Sequence, residues 1–190
     1  MSKLEIEVQK SVELLSQGKV ILYPTDTIWG LGCDATQPKA IQKIYKIKMR
    51  PQQKSMILLL DSTEKLPHYV ANIPAVAYDL IQNAVSPLTI VYSNAKNLPK
   101  KLIAGDGTIA IRIVNGDYCK EVVRRLGKPL VSTSANISGE PAPQIFDQIS
   151  ENLKQKVDYV VEVHRSRIRS VRPSTVIKLE EDGLFTILRP

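Results

Sequence analysis

The hydrophobic and polar positions along this chain predict helices that alternate with strands. Apolar residues spaced three to four apart indicate helices, whereas short apolar runs bounded by turn residues indicate strands. The predicted helices cover residues 6–17, 40–48, 75–85, 117–127 and 144–155, and the predicted strands cover residues 19–25, 55–61, 86–93, 108–114, 128–135, 158–163, 174–180 and 184–190. Because some strands follow each other directly and others are separated by a helix, we expect an α/β fold with a twisted mixed sheet flanked by helices rather than a purely parallel sheet.

Length and composition favour one compact unit. The chain has 190 residues, of which 43% are hydrophobic, and we expect a single domain over residues 1–190. It contains no run of about 18 apolar residues, so neither a signal peptide nor a membrane helix is predicted. Cys33 and Cys119 lie far apart and have no clustered histidines, which predicts no disulfide framework, no metal site and a cytoplasmic location.

The net charge favours anionic partners without choosing among them. Lys and Arg number 26 against 19 Asp and Glu, a balance of +7. Nucleotides or RNA would suit this surplus, but an ordinary basic surface has the same balance.

The stretch PTDTIWGLG, after the first predicted strand, carries polar residues that packing alone would not require. Pro24 holds Tyr23 extended, and the two glycines permit positive φ or a close backbone approach to a ligand. Residues 25–27 offer hydroxyl and carboxylate groups at a strand end, where α/β proteins often bind ligands. A turn in which these side chains satisfy local backbone groups is the alternative. Under either interpretation we expect residues 23–34 to form a loop.

Cations gather just after the second predicted helix, in KIKMRPQQK. Lys48, Arg50 and Lys54 lie within seven residues, and Pro51 ends the helix. These side chains could complement the helix dipole. They could equally clamp a triphosphate, with arginine as a bidentate donor and lysine as a point charge.

Further polar residues occupy a segment, STSANISGEPAP, and two strands. The segment offers hydroxyls and backbone N–H groups to an anion, although such a segment alone is more often a turn, and it is not a Walker loop. Thr108 and Arg112 share a face of one strand by alternation, and Ser174 precedes another. A strand arginine is costly to bury unless it meets an anion, and a structural pair of Arg with Asp is the competing explanation.

Protein nucleophiles and metal ligands are not indicated. His68 and His164 have no carboxylate or cysteine at ligand spacing, and Cys33 has no evident base. Phosphoryl and nucleotidyl transfer remain, because positioning and electrostatic stabilisation can supply most of their rate.

Together and in this order, PTDTIWGLGCDA, KMRPQQK, TIAIR, STSANISG and PSTVI resemble the motifs of the YrdC/Sua5 family, the L-threonylcarbamoyladenylate synthases, in its short bacterial form. The resemblance implies a YrdC-like fold with a concave basic ligand cleft. It also implies a nucleotidyltransferase that converts L-threonine, bicarbonate and ATP with Mg²⁺ into threonylcarbamoyl-AMP and pyrophosphate. That product serves the threonylcarbamoyl-adenosine modification beside the tRNA anticodon.

The resemblance also assigns residue roles. Threonine would be bound by Thr27, Arg112, Ser134 and Ser174, and ATP by Arg50, Lys54, Thr108, Asn136, Gln144 and Arg189, with Lys48 and Arg50 as the catalytic cations. Implied partners are a downstream threonylcarbamoyl transferase complex and, at the basic face, tRNA or double-stranded RNA. The chain departs from the family pattern near Leu59, where a histidine is common, and at Gln144. A non-catalytic RNA-binding or ribosome-maturation role on the same fold is the alternative.

Overall fold

The computed structural model describes residues 1–49, 56–166 and 173–190. The helices of these ranges are α1 (Lys3–Ser16), α2 (Pro38–Lys48), α3 (Leu66–Tyr69), α4 (Val76–Gln82), α5 (Asp117–Leu126) and α6 (Glu151–Lys156). The strands are β1 (Ile21–Pro24), β2 (Trp29–Asp34), β3 (Ile57–Leu60), β4 (Leu88–Tyr92), β5 (Ile109–Ile113), β6 (Leu130–Ser134), β7 (Tyr159–Val160), β8 (Thr175–Leu179) and β9 (Phe185–Arg189).

The strands of the described ranges form one mixed sheet, in the order β7-β1-β2-β6-β3-β5-β4-β8-β9. The pairs β1–β7, β3–β5 and β4–β8 are parallel, and the other neighbours are antiparallel. The predicted mixed sheet with flanking helices is therefore confirmed.

The two faces of the sheet pack against different helices. On one face, Ile21 and Leu59 lie in a core shared with α1 and α5. On the other face, Leu22, Leu31 and Leu58 lie in a core shared with α2. Since side chains alternate along a strand, residues 130, 132 and 134 of β6 share the face covered by α1 and α5. The hydroxyls of Ser132 and Ser134 at the end of β6 therefore lie on that face of the sheet.

Local signals explain where the helices begin and end. Ser2 and Glu5 form a capping box before α1, in which the Glu5 carboxylate accepts from the Ser2 N–H at 2.7 Å. Pro38 occupies the first turn of α2, which ends at Met49 with a φ of 49°. α5 ends at Gly127, whose φ of 67° is the left-handed conformation that glycine adopts readily.

Two predicted segments were wrong. Residues 29–34, expected to be part of a loop, form β2, which pairs with β1 and β6. The predicted helix over 144–155 is a 3₁₀ turn at Phe146–Gln148 followed by α6. Ile149 is extended, and the Ser150 side chain caps the new helix by accepting from the Leu153 N–H. None of the described helices is long and apolar enough to cross a membrane.

Candidate functional site

A tight turn joins β1 to β2 at the edge of the site. The Thr25 hydroxyl accepts from the Thr27 N–H at 3.0 Å and donates to the Ile28 carbonyl at 2.6 Å. It also lies 3.0 Å from the Thr27 hydroxyl. The local-turn interpretation therefore holds for Thr25, and the effect is to fix Thr27, which follows it on the site side.

The two glycines of β2 permit close approaches within the protein. A Cβ on Gly32 would lie 2.6 Å from Cε1 of Tyr23, so the Tyr23 ring crosses directly over Gly32. A Cβ on Gly30 would lie 3.2 Å from the Thr133 carbonyl oxygen and 3.3 Å from Oγ of Ser132. Neither Gly30 nor Gly32 has a positive φ. Close packing, rather than backbone conformation, therefore explains glycine at these two positions.

A cavity of about 180 Å³ opens at this end of the sheet. It is bounded by the β1–β2 turn, the start of β3, the end of β5, the end of β6, the residues just before β8 and the end of β9. The lining residues are Thr25, Thr27, Ile28, Trp29, Gly30, Met56, Ile57, Arg112, Ser132, Thr133, Ser134, Ala142, Pro173, Ser174 and Arg189. All four residues predicted to bind threonine lie in this lining, although they come from four separate segments.

Arg112 supplies a guanidinium to the cavity. Its side chain is only 4% exposed, and its Nη2 lies 3.0 Å from Oδ1 of Asp26. A second nitrogen, Nη1, donates to the Thr27 hydroxyl at 3.4 Å. The Nε atom has no hydrogen-bond partner among the residues that the structure describes. The structural Arg–Asp pair considered from sequence is thus present, and the same arginine still has donor capacity at the cavity.

Ser174 and Arg189 form the opposite wall. The guanidinium of Arg189 donates twice to the Ser174 carbonyl oxygen, from Nε at 3.0 Å and from Nη2 at 2.8 Å. The Ser174 hydroxyl lies 2.8 Å from that of Thr89. Burial, and then the positive charge of Arg112, lower the pKa of Arg189. Two guanidinium groups therefore line the same cavity, an arrangement that favours an anion there.

Lys48 is directed at the protein rather than at the cavity. Its side chain is 1% exposed, and Nζ donates to the carbonyl oxygens of Ser134 and Asn136, both at 2.6 Å, and to Oδ1 of Asn136 at 3.1 Å. The Ser134 hydroxyl also donates to Oδ1 of Asn136, and the Asn136 amide donates to the Glu140 carbonyl at 2.6 Å. Lys48 therefore holds the Ser134–Asn136 segment in place, and its catalytic role stays a prediction.

Four other predicted ATP contacts lie away from the lining or outside the described chain. The Thr108 hydroxyl donates to Oδ1 of Asp106 at 2.7 Å, at the start of β5. Gln144 is exposed and borders a small neighbouring pocket beside Thr27 and Trp29. Arg50 and Lys54 fall outside the described residues. These assignments therefore remain predictions.

Trp29 is both packed and adjacent to the cavity. It is 4% exposed, and its ring centroid lies 4.8 Å from that of Phe146. Its ring is thus packed in the core, while the residue still contributes to the cavity lining. Leu59, near which the chain departs from the family pattern, is fully buried in the α1–α5 core and is not part of the lining.

The family resemblance assigned no ligand to Ser132, although the segment that contains it was expected to offer hydroxyls to an anion. It is 6% exposed, faces the cavity and shares a face of β6 with Ser134. The alternation of serines at 132 and 134 within the predicted strand over 128–135 was the available signal, because it places both hydroxyls on one face of that strand. Within the described ranges, no group of three or more His, Cys, Asp or Glu residues could hold a metal ion.

The fold and the cavity together define an α/β protein with a small site lined by hydroxyl and guanidinium groups. A family model for the Sua5/YciO/YrdC domain, described as Telomere recombination, matches residues 13–190. The chain belongs to the Sua5/YciO/YrdC family, which confirms the resemblance inferred from the five motifs.

Curated relatives agree with this assignment. The threonylcarbamoyl-AMP synthase of Pseudoalteromonas translucida is 37% identical over 158 residues, which are 82% of this chain and 84% of that protein. A putative threonylcarbamoyl-AMP synthase of Methanocaldococcus jannaschii is 33% identical over 189 residues, 96% of this chain and 87% of that protein.

Solved structures show the same fold. Pyrococcus abyssi Sua5 in complex with L-threonine has a TM-score of 0.87 at 28% identity, and the match covers 100% of this chain and 55% of that chain. This chain thus spans about half the length of the Pyrococcus protein. Escherichia coli YciO has a TM-score of 0.83 at 26% identity, with 98% of this chain and 89% of that chain covered.

Proposed function

We propose that this protein is an L-threonylcarbamoyladenylate synthase, which makes threonylcarbamoyl-AMP and pyrophosphate from L-threonine, bicarbonate and ATP. The observation that carries the proposal is the cavity lining, where Thr27, Arg112, Ser134 and Ser174 meet. The names of the curated relatives, and the threonine bound to the Pyrococcus protein, support the same substrate.

The size and charge of the cavity suit an amino acid. Its volume of about 180 Å³ is below the roughly 300–1,000 Å³ typical of pockets for larger ligands. The Arg112 guanidinium is suited to the carboxylate of threonine, because its planar fork matches that group. The hydroxyls of Thr27, Ser134 and Ser174 can bind the ammonium and hydroxyl groups of the ligand.

ATP would extend from the cavity toward the predicted phosphate-binding cations. Met56 and Pro173 line the cavity, and they directly follow residues 50–55 and 167–172 in the chain. Arg50 and Lys54 belong to the first of these segments, and Arg189 already lies in the lining. We assign these three cations to the triphosphate, together with Thr108, Asn136 and Gln144 elsewhere on the nucleotide.

The chemistry requires orientation rather than a protein nucleophile. Threonine's ammonium group loses a proton, and the free amine adds to carbon dioxide formed from bicarbonate, which gives a carbamate and releases a second proton. One of these protons converts the hydroxide left by bicarbonate into water, and the other passes to solvent. A carbamate oxygen then attacks the α-phosphorus of ATP, a new P–O bond forms, and the bond to the pyrophosphate leaving group breaks. The arginines hold the two anionic substrates in line and stabilise the charge that develops on the phosphoryl oxygens. Burial raises the pKa of the Cys33 thiol, which therefore stays protonated and unreactive.

Mg²⁺ fits this scheme as a companion of ATP. The described part of the chain offers no acidic cluster for a resident metal, so the phosphates and water would supply its ligands. The ion would neutralise part of the triphosphate charge. We further propose that the adenylate passes to a threonylcarbamoyl transferase complex that modifies tRNA in the cytoplasm, and that the +7 net charge aids contact with tRNA.

Pyrophosphate release tests the proposal. We expect release only when ATP, bicarbonate and L-threonine are all present, and we expect Arg112→Gln to abolish it at moderate threonine concentration. Arg125→Gln is the matched control, because Arg125 lies on α5 and pairs with Glu121 far from the cavity lining. Release without threonine, or no release under any condition while RNA binds tightly, would favour the RNA-binding role instead.

A further inference from the structure

Asp26 occupies an unusual position behind the substrate-binding arginine. Its side chain is 10% exposed and that of Arg112 is 4% exposed, so the 3.0 Å ion pair between them is almost entirely buried. Buried pairs of this kind are weak evidence for stability, because desolvation offsets most of their attraction. Stability alone therefore does not account for Asp26 at this position.

The pair separates two cavities. Arg112 lines the cavity of about 180 Å³, and Asp26 is not part of that lining. Asp26 instead lines a second cavity of about 550 Å³, whose other polar members include Gln82, Ser86 and Asn115. The carboxylate thus faces one compartment and the guanidinium faces the other, with the ion pair between them.

This arrangement makes a ligand carboxylate and Asp26 compete for one guanidinium. Two carboxylates near the same cation repel each other, and each reduces the attraction that the other receives. Oδ1 of Asp26 is buried and has no hydrogen-bond partner among the described residues, but the carboxylate borders the second cavity, whose lining mixes apolar with polar groups. When a ligand draws the guanidinium toward the first cavity, the Asp26 carboxylate can therefore be hydrated from that side. The exchange of partners is therefore less costly than breaking an ion pair in a dry core.

We propose that Asp26 is a positioning residue that orients Arg112 in the empty site and weakens its hold on a substrate carboxylate, so that the product is released. This inference rests on the proposed function, since it takes the ligand of Arg112 to be the carboxylate of threonine. Asp26 itself does not touch the ligand. Its effect is carried by the charge it places beside the guanidinium.

Asp26→Asn separates this role from simple structural support. The substitution keeps the shape and an acceptor oxygen for Arg112, but it removes the competing charge. We expect L-threonine to bind about threefold or more tightly to Asp26→Asn than to the unchanged protein, because the repulsion between carboxylates is gone. L-Threoninol, which lacks the carboxylate, should bind equally to both proteins. In turnover, KM for threonine should fall together with kcat.

The matched control is Asp61→Asn. Asp61 has the same 10% side-chain exposure and an ion pair of its own with Lys65, but it lines neither cavity. That variant should leave the affinity for both ligands unchanged. If Asp26→Asn does not fold, Asp26→Ser removes the same charge with a smaller side chain and carries the same expectation.

The outcomes of calorimetric titration are distinct. Tighter threonine binding with unchanged threoninol binding supports the role of Asp26. Equal or weaker threonine binding by a folded Asp26→Asn or Asp26→Ser protein overturns it, because mere support of Arg112 would give that result. Failure of the unchanged protein to bind threonine at all contradicts the proposed function, and with it this inference.

Discussion

The crossing of the Tyr23 ring over Gly32 gives a sharp test of why glycine occupies position 32 in β2. A Cβ added at Gly32 would lie 2.6 Å from Cε1 of Tyr23 and 3.0 Å from the carbonyl oxygen of Val131. Carbon atoms in contact prefer separations of about 3.5–4.0 Å, so the first contact is about 1 Å too short. Tyr23 is 0% exposed and belongs to the core shared with α1 and α5, so its ring has little room to move.

We expect Gly32→Ala to destabilise the protein by about 1–2 kcal/mol. Overpacking a core costs about 1–3 kcal/mol. Replacing glycine at an extended position returns about 0.4–1 kcal/mol by restricting the unfolded chain. Urea unfolding followed by circular dichroism measures the difference, and the melting temperature should fall by roughly 2–8 °C.

The control is Gly105→Ala, because a Cβ there meets nothing within 4 Å and the residue has no positive φ. This variant should be as stable as the unchanged protein or slightly more stable. Combining Gly32→Ala with Tyr23→Leu should cost less than the sum of the two changes, since the smaller side chain relieves the clash. A Gly32→Ala protein as stable as Gly105→Ala would refute the proposed reason for glycine at this position.

Three other outcomes are expected. Lys48→Met should lower the free energy of unfolding by more than about 2 kcal/mol and should weaken threonine binding, because it leaves the carbonyl oxygens of Ser134 and Asn136 without their buried donor. Unfolding and binding titrations measure these two effects. An unchanged affinity for threonine in a folded variant would show that Lys48 does not support the Ser134–Asn136 segment. Emission from Trp29 should change saturably on addition of threonine, since this residue lines the cavity; a flat signal while calorimetry shows binding would argue against it. Hydrogen bonds from two arginines lower the pKa of Glu121 to about 2, so its contribution to stability is full above about pH 4.3 and is lost as the pH falls toward 2; Glu121→Gln should flatten that part of the stability curve by less than about 1 kcal/mol, as measured by urea unfolding at each pH.

Elements with strong local signals were predicted well from the sequence. The periodicity of α2 and α5, and the apolar run of β5, match the structure to within a few residues. β2 was missed because its sequence, WGLGCD, is buried on both faces and contains two glycines. Its strand conformation depends on pairing with β1 and β6, which no local pattern reveals. The break in the predicted helix at Ser150 did have a signal, a serine followed by an acidic residue at a helix start.

The candidate site likewise has parts that the sequence predicted and parts that it did not. Thr27, Arg112, Ser134 and Ser174 were identified through motifs, and the structure brings them to one cavity. The direction of the Lys48 side chain was not predictable, because spacing along α2 does not show which oxygens its ammonium will meet.

The predicted contacts to ATP depend on distances that the sequence does not contain. Thr108 lies four residues from Arg112 on the same face of the chain at β5, a separation of about 13 Å at the rise of a strand. Threonine at Arg112 and ATP at Thr108 must therefore span that length together. The exposure of Gln144 likewise depends on the path of the segment after β6, which the sequence does not show.

The identity of the reaction product tests the central claim most directly. The protein would be incubated with ATP, carbon-labelled bicarbonate and L-threonine, and the nucleotide products separated and weighed by mass spectrometry. We predict one new adenylate that carries both the labelled carbon and threonine, formed in equal amount with pyrophosphate. Pyrophosphate without a labelled adenylate, or an equally abundant labelled adenylate with every amino acid supplied, would contradict the account.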